Sequence, residues 1–191
     1  HDAFGVRAVI VTTMQAISGA GYPGVPSLDI LDNVIPYIKG EEEKMMSEPR
    51  KILGEFSAAD ETVRPAAMRI SPTCTRVATR DGHLEAVSIE LERKAHTDEV
   101  IAAFREFTSL PYELGCPSAV HPTIIVRDEV DRPQTRMDRN AGNGMAITVG
   151  RIRPCEILEH KFVVLSHNTI RGAAGASILN AELMIAQGMI G

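Results

Sequence analysis

The chain has 191 residues, 44% of them hydrophobic and 24% charged, with a formal net charge of -5. That balance suits one substantial core and excludes a disordered chain, and the negative charge argues against a general nucleic-acid partner. No run of roughly eighteen apolar residues occurs to span a bilayer, and the start at His1 has neither an initiator Met nor a signal-peptide pattern. Three widely spaced cysteines, Cys74, Cys116 and Cys155, fit neither a disulfide framework nor a zinc site, so a reducing cytoplasm is the expected compartment. The histidines lack metal-ligand spacing, and no metal is expected.

In chain order, Arg7 to Thr13 is a β-branched apolar run that predicts a buried strand. Met14 to Gly24 carries three glycines and a proline, which predicts a tight strand-exit loop with its backbone close to something. Pro26-Ser27 opens a short helical pattern with Leu28, Leu31 and Ile35 on one face, ended by Gly40. From Glu41 to about Phe56 acids lead and bases follow, the order that complements a helix dipole, although Pro49 interrupts it. Ala67 to Arg80 and Leu84 to Leu91 read as strands joined by the turn signal Asp81-Gly82, hence a hairpin. Thr97 is the expected N-cap of a helix with Val100, Ala103 and Phe104 at helical spacing. Gly144 to Ile152 and Lys161 to Ser166 are two further strands, and Arg171 to Gly175 leads into a closing helix. The order implies an α+β fold with a mixed, largely antiparallel sheet and helices packed on one face.

Four places hold polar residues at expected turns or helix ends. Gln15, beside Ser18 and Gly19, can orient a substrate, while bare amides in the glycine loop can meet a cofactor carboxamide; packing alone also explains such a loop. Arg76 and His83 bracket the Asp81-Gly82 turn, so a guanidinium fork for a carboxylate and an imidazole for proton transfer can converge, or both can be ordinary surface residues. Glu41 and Lys44, three apart at a helix start, can divide a zwitterionic substrate between them or form a solvated ion pair. Asn180 lies in the helix that follows the glycine-led Arg171 segment, where a ligand or ordinary packing accounts for it equally. None of the three cysteines has a base beside it in sequence, and none is read as a nucleophile.

Taken together, Gln15 to Lys44, Pro72 to Leu91 and His167 to Leu183 resemble the aspartate-semialdehyde dehydrogenases of the archaeal and fungal branch, over essentially the whole chain. The resemblance implies the C-terminal, substrate-binding and dimerisation half of an NADP-dependent enzyme, with the fold of the glyceraldehyde-3-phosphate dehydrogenase C-terminal domain. That enzyme interconverts β-aspartyl phosphate and aspartate semialdehyde, on the route to lysine, threonine, methionine and isoleucine. Carried over residue by residue, it implies Gln15 at the reacting centre, His83 as general acid/base and Arg76 on the substrate carboxylate. Glu41 takes the substrate amino group and Lys44 the phosphate. Ser18, Gly19 and Asn180 fall to the cofactor.

The resemblance further implies that residues 1–170 form the substrate-binding and dimerisation domain. Residues 171–191 then form a helix packing back toward an NADP-binding domain upstream of His1. The family's nucleophilic Cys lies in an Asn-Cys motif that this sequence lacks, so the chain alone is expected to be inactive, and the dimerisation half implies a homodimer or higher homo-oligomer. An N-acetyl-glutamyl-phosphate reductase is the nearest alternative, with no amino group for Glu41 to bind. A dimerisation module without activity is the other.

Overall fold

The computed structural model describes residues 1–190. Its first strand, β1 (Val6–Gln15), is followed by a 3-10 turn over Ile17–Ala20, the short helix α1 (Ser27–Ile30) and the edge strand β2 (Val34–Ile35). Next come helix α2 (Glu41–Ile52), a small hairpin of β3 (Glu55–Ser57) with β4 (Thr62–Arg64), and strands β5 (Arg69–Val77) and β6 (His83–Leu91). Helices α3 (Thr97–Arg105) and α4 (Leu110–Glu113), strand β7 (Ile124–Arg127) and helix α5 (Thr135–Asp138) precede strands β8 (Ile147–Pro154) and β9 (His160–Ser166). A π turn over Ile170–Ala174 then feeds the closing helix α6 (Gly175–Ala186).

Seven strands form one mixed sheet in the order β2-β5-β1-β6-β9-β8-β7. Only β1 with β5 and β7 with β8 pair in parallel, so the sheet is largely antiparallel, as the sequence implied. The expected hairpin between the runs ending at Arg80 and starting at Leu84 does not form. β1 lies between β5 and β6, pairing parallel with the first and antiparallel with the second, and residues 78–82 cross over its C-terminal end. A buried β-branched strand offers both of its edges to partners, and that long-range pairing overrides the local turn signal.

The α1 region also departs from expectation. Leu28 and Leu31 are exposed and only Ile30 of α1 is buried. Asn33 ends the helix, its carboxamide donating to the Asp29 carbonyl and accepting the Val34 amide, and Val34 and Ile35 go to the sheet edge instead. α2 runs through Pro49 without a break, with Glu41, Glu42 and Glu43 in its first turn and Arg50 and Lys51 in its last. It stops at Gly54, where any Cβ would strike the Arg64 carbonyl. The first residue of α3 is Thr97, so the cap position falls to His96, whose amide donates to Glu99 Oε2 at 2.7 Å. The segment Ala141–Gly144 is a 3-10 turn rather than the start of β8.

In-register neighbours share a face of the sheet. One face carries Val9 and Val11 of β1, Val87 and Ile89 of β6, Phe162 and Val164 of β9, and Val149 of β8, and α3 closes it through Val100 and Phe104. The Phe104 and Phe162 rings meet edge to face with centroids 5.3 Å apart. On the opposite face Ile10, Thr12, Ser71, Thr73 and Ala86 are exposed. A second cluster, Cys116 with Met145 and Leu179, seats α6 beside α4, and the Glu182 carboxylate of α6 accepts both the amide and the hydroxyl of Ser118 at 2.8 Å. Among the described residues no helix is long and apolar enough to cross a membrane.

Candidate functional site

The inward-facing rows of three adjacent strands turn from apolar to polar at the same end. In β1 the row reads Val9, Val11, Thr13, Gln15; in β5, Ile70, Pro72, Cys74, Arg76; in β6, from the other direction, Ile89, Val87, Glu85, His83. Gln15 is level with Arg76, and Thr13 with both Cys74 and Glu85. The polar groups converge because β1 and β5 end where β6 begins.

Ala16 joins the two charge-handling side chains. Its carbonyl accepts Arg76 Nη1 at 2.8 Å and its amide donates to His83 Nδ1 at 3.2 Å. One peptide residue therefore orients a guanidinium on one side and an imidazole on the other, leaving His83 Nε2 as the ring nitrogen open to a ligand. Gly19 sits over both: a Cβ there would lie 2.8 Å from Arg76 Nη1 and 3.2 Å from His83 Nε2. Arg76 is buried at 7% exposure, and the cost of burying its charge lowers its pKa, while nearby Glu41 acts in the opposite sense. Burial and then the Arg76 cation push His83 down to about 4, so its resting form near neutral pH is the uncharged imidazole.

Gln15 is buried, its Nε2 donating to Thr13 Oγ1 at 3.3 Å. The Cys74 thiol, level with Thr13 on the neighbouring strand, is pushed above its ordinary range by burial. Cys74 is fully buried and held as a thiol, consistent with its exclusion as a nucleophile. Glu85, on the other side of Thr13, is likewise pushed up by burial.

α2 brings Glu41 to this end of the sheet. Glu42 Oε1 accepts the Cys74 amide at 3.0 Å, tying the first turn of α2 to β5 two residues before Arg76. Glu41 and Lys44 face each other across 3.9 Å, half-exposed, an ion pair that a ligand bearing both charges can open.

The amides in the first part of the glycine loop are committed. Ile17 and Ser18 donate theirs to the Thr79 and Arg80 carbonyls, Gly19 to Ala16 and Gly21 to Ser18. What the loop presents is the half-buried Ser18 hydroxyl and the exposed backbone of Gly19, packed close over Arg76 and His83. Asn180 is exposed on α6 and makes no side-chain hydrogen bond among the described residues. Gln15, Ser18, Gly19, Arg76 and His83 thus form one constellation with Glu41 and Lys44 at its rim, and Asn180 stands outside these contacts.

Sequence reasoning missed Ala16, Asn168, Glu42 and Glu85. Ala16 acts only through main-chain atoms and leaves no side-chain signal. Asn168 bridges the Gly82 amide and Ser18 Oγ across long sequence separations. Glu85 was legible: it continues the inward row of Leu91, Ile89 and Val87 where an apolar residue would otherwise stand.

Residues 1–171 match the family described as semialdehyde dehydrogenase, dimerisation domain. The chain is 55% identical over 186 residues to an aspartate-semialdehyde dehydrogenase of Archaeoglobus fulgidus, covering 97% of this chain and 52% of that protein. It is 47% identical over 197 residues to one of Saccharomyces cerevisiae, covering 99% and 54%. The structure superposes with a TM-score of 0.90 on Candida albicans aspartate-semialdehyde dehydrogenase with NADP, at 44% identity, covering 99% of this chain and 53% of that one. An aspartate-semialdehyde dehydrogenase II of Vibrio cholerae complexed with ASA gives 0.74 at 25% identity, covering 96% and 56%. The chain spans about half the length of these relatives. With the sheet order, the polar end of its inner face and these likenesses in agreement, the chain belongs to the semialdehyde dehydrogenase family, as its dimerisation domain.

Proposed function

We propose that this chain supplies the substrate-binding and dimerisation half of an NADP-dependent aspartate-semialdehyde dehydrogenase, which converts β-aspartyl phosphate and aspartate semialdehyde into one another. The observation that carries this reading is the Ala16 junction, which holds a buried guanidinium and a neutral imidazole on either side of one peptide residue. A small substrate with a carboxylate at one end and a reacting carbonyl at the other needs those two groups in that relation.

Arg76 anchors the substrate carboxylate, with its fork fixed by the Ala16 carbonyl. Glu41 takes the substrate ammonium and Lys44 the phosphate, the charges of their resting ion pair being redistributed onto the ligand. The Glu41 carboxylate near Arg76 favours a substrate with a free amino group over an N-acylated one. Gln15, fixed by Thr13, orients the reacting centre. His83 handles the proton through Nε2; a negative group arriving in the site raises its pKa back toward neutrality.

The exposed Gly19 backbone and the Ser18 hydroxyl would meet the nicotinamide end of NADP, which supplies hydride chemistry when bound. α6, which exposes Ile178 and Ile185 along one stripe and Asn180 on the other side of the buried Leu179, is the element turned to the cofactor-binding domain, and residues 1–170 form the substrate and dimer unit. The open sheet face around Ile10, Thr12 and Thr73 is the surface for a second copy in a homodimer. Three free thiols fit a reducing cytoplasm.

His83→Asn in the full-length enzyme tests the reading. kcat falls by roughly 10²–10⁴ while KM changes far less, and the pH dependence of kcat loses one limb. A variant with the wild-type rate and pH profile removes His83 from the chemistry.

A further inference from the structure

The crossover from β5 to β6 commits three successive carbonyls to partners elsewhere in the chain. The Thr79 carbonyl accepts the Ile17 amide at 2.8 Å and the Arg80 carbonyl accepts the Ser18 amide at 3.1 Å. The third belongs to the Asp81–Gly82 peptide, the last before Gly82 leads into His83, and this peptide is held by a side chain at each end. Its carbonyl accepts Arg139 Nη1 at 3.1 Å and its N–H donates to Asn168 Oδ1 at 2.8 Å.

That peptide needs an external hold. Gly82 has φ +95°, and a glycine takes negative φ about as readily as positive. Rotation at Gly82 swings the two segments that meet there, and His83 is the first residue beyond it. The two holders differ in kind. A carboxamide can offer either its oxygen or its NH2, and the Ser18 hydroxyl that receives Asn168 Nδ2 can donate as well as accept, so Asn168 can satisfy the peptide in either sense. A guanidinium only donates, so only the Asp81 carbonyl can face Arg139. Arg139 therefore sets the direction of the peptide plane. It is firmly seated, because the preceding Asp138 is buried and its carboxylate accepts Arg132 Nε and the Gln134 amide, each at 2.7 Å, and Arg127 Nη2 at 3.1 Å. The Arg139 stem also lies against the turn: a Cβ on Gly82 would stand 3.2 Å from Arg139 Cβ.

The His83 ring makes one hydrogen bond among the described residues, from the Ala16 amide to Nδ1 at 3.2 Å. Its placement therefore depends on where the backbone delivers it. We infer that Arg139 is a positioning residue for His83, acting from α5 through the Asp81–Gly82 peptide. This rests on the reading of His83 as the group that handles the proton.

The test is a double-mutant cycle on the full-length enzyme, with kcat and KM for aspartate semialdehyde and a melting curve for each variant. Arg139→Met keeps the stem over Gly82 and removes the donor; kcat falls about tenfold while KM stays within twofold, as a misplaced catalytic group requires. Arg139→Lys restores a donor and recovers kcat to within about threefold of the wild type. Arg139→Gln, polar but shorter, behaves as Arg139→Met does and serves if the Met variant does not fold. In a His83→Asn background the same Arg139 substitutions change kcat by less than twofold, because the group they position is gone. If they lower kcat by the same factor in both backgrounds, Arg139 acts through the fold and not through His83, and the inference is refuted. It is refuted equally if His83→Asn lowers kcat but folded Arg139→Met and Arg139→Gln keep the wild-type value, a result that leaves the reading of His83 intact. If His83→Asn itself keeps the wild-type kcat, that reading fails and the inference falls with it.

Discussion

Gly19→Ala places one methyl group where the geometry leaves no room. The new Cβ would lie 2.8 Å from Arg76 Nη1, 3.1 Å from His83 Cε1 and 3.2 Å from His83 Nε2. Against an ordinary separation of ~3.5 Å these contacts are short by about 0.7 Å at Arg76 and about 0.3 Å at His83. A guanidinium at the end of a free side chain would swing away at little cost. Arg76 is not free: it is buried, and its Nη1 is the atom already bonded to the Ala16 carbonyl. Either that bond breaks or the 3-10 turn lifts, and overpacking of this kind costs about 1–3 kcal/mol. Displacing a positioning group by about an ångström lowers catalytic efficiency by up to ~100-fold. The expected result in the full-length enzyme is a ten- to hundredfold loss in kcat/KM with a melting temperature lower by only a few degrees. Steady-state kinetics and a melting curve measure both. Retention of kcat/KM within twofold would refute the argument, because it would mean that Arg76 and His83 need not occupy the positions seen here.

Arg76→Lys keeps the charge but cannot grip the Ala16 carbonyl and a carboxylate together, so kcat/KM falls at least tenfold, about 1.4 kcal/mol, and a near-normal value returns Arg76 to a structural role. Glu42→Ala orphans the Cys74 amide and releases the first turn of α2, raising KM several-fold with little change in kcat, while Glu42→Gln retains an acceptor and rescues KM; equal KM values in both variants contradict the tether. For His83 the folded value of about 4 lies below the ordinary one near 6.5, so between these values the unfolded chain binds a proton that the folded chain refuses. That contribution to stability is therefore complete above about pH 6.5 and is lost as pH falls toward about 4; His83→Asn flattens this stretch of the melting curve against pH, and an unaltered curve contradicts the assignment.

The elements that sequence reasoning located were those with strong local signals. The apolar run of β1, the acid-to-base order of α2 and the period of α3 each depend on neighbours a few residues away. The failures were non-local. Asp81-Gly82 is a sound turn signal, yet the strands on either side of it do not pair, because β1 is the better partner for both. Likewise Leu28 and Leu31 follow a helical period but are exposed, Leu31 just past the end of a four-residue helix, since the Asn33 side chain ends it and the sheet edge takes Val34 and Ile35. Gln15, Arg76 and His83 could be named from the resemblance, but what holds them is the backbone of Ala16, whose methyl side chain carries no trace of that task.

The strand order explains why Arg76 and His83 can serve one small molecule. With β1 between them, their backbones stand two strand spacings apart, about 9.6 Å. Adjacent strands would have crowded a guanidinium against an imidazole, while a wider gap would have left both reaching through water. The central strand ends at Gln15, level with Arg76, and the next residue spends its carbonyl on one side chain and its amide on the other. Burial then keeps the pair from being two cations: desolvation and the neighbouring guanidinium together hold His83 neutral, so the site presents a single fixed positive charge beside a group free to take a proton. A false hairpin in the sequence reading and the working spacing of the site thus have the same origin, the insertion of β1 between the two strands that carry the chemistry.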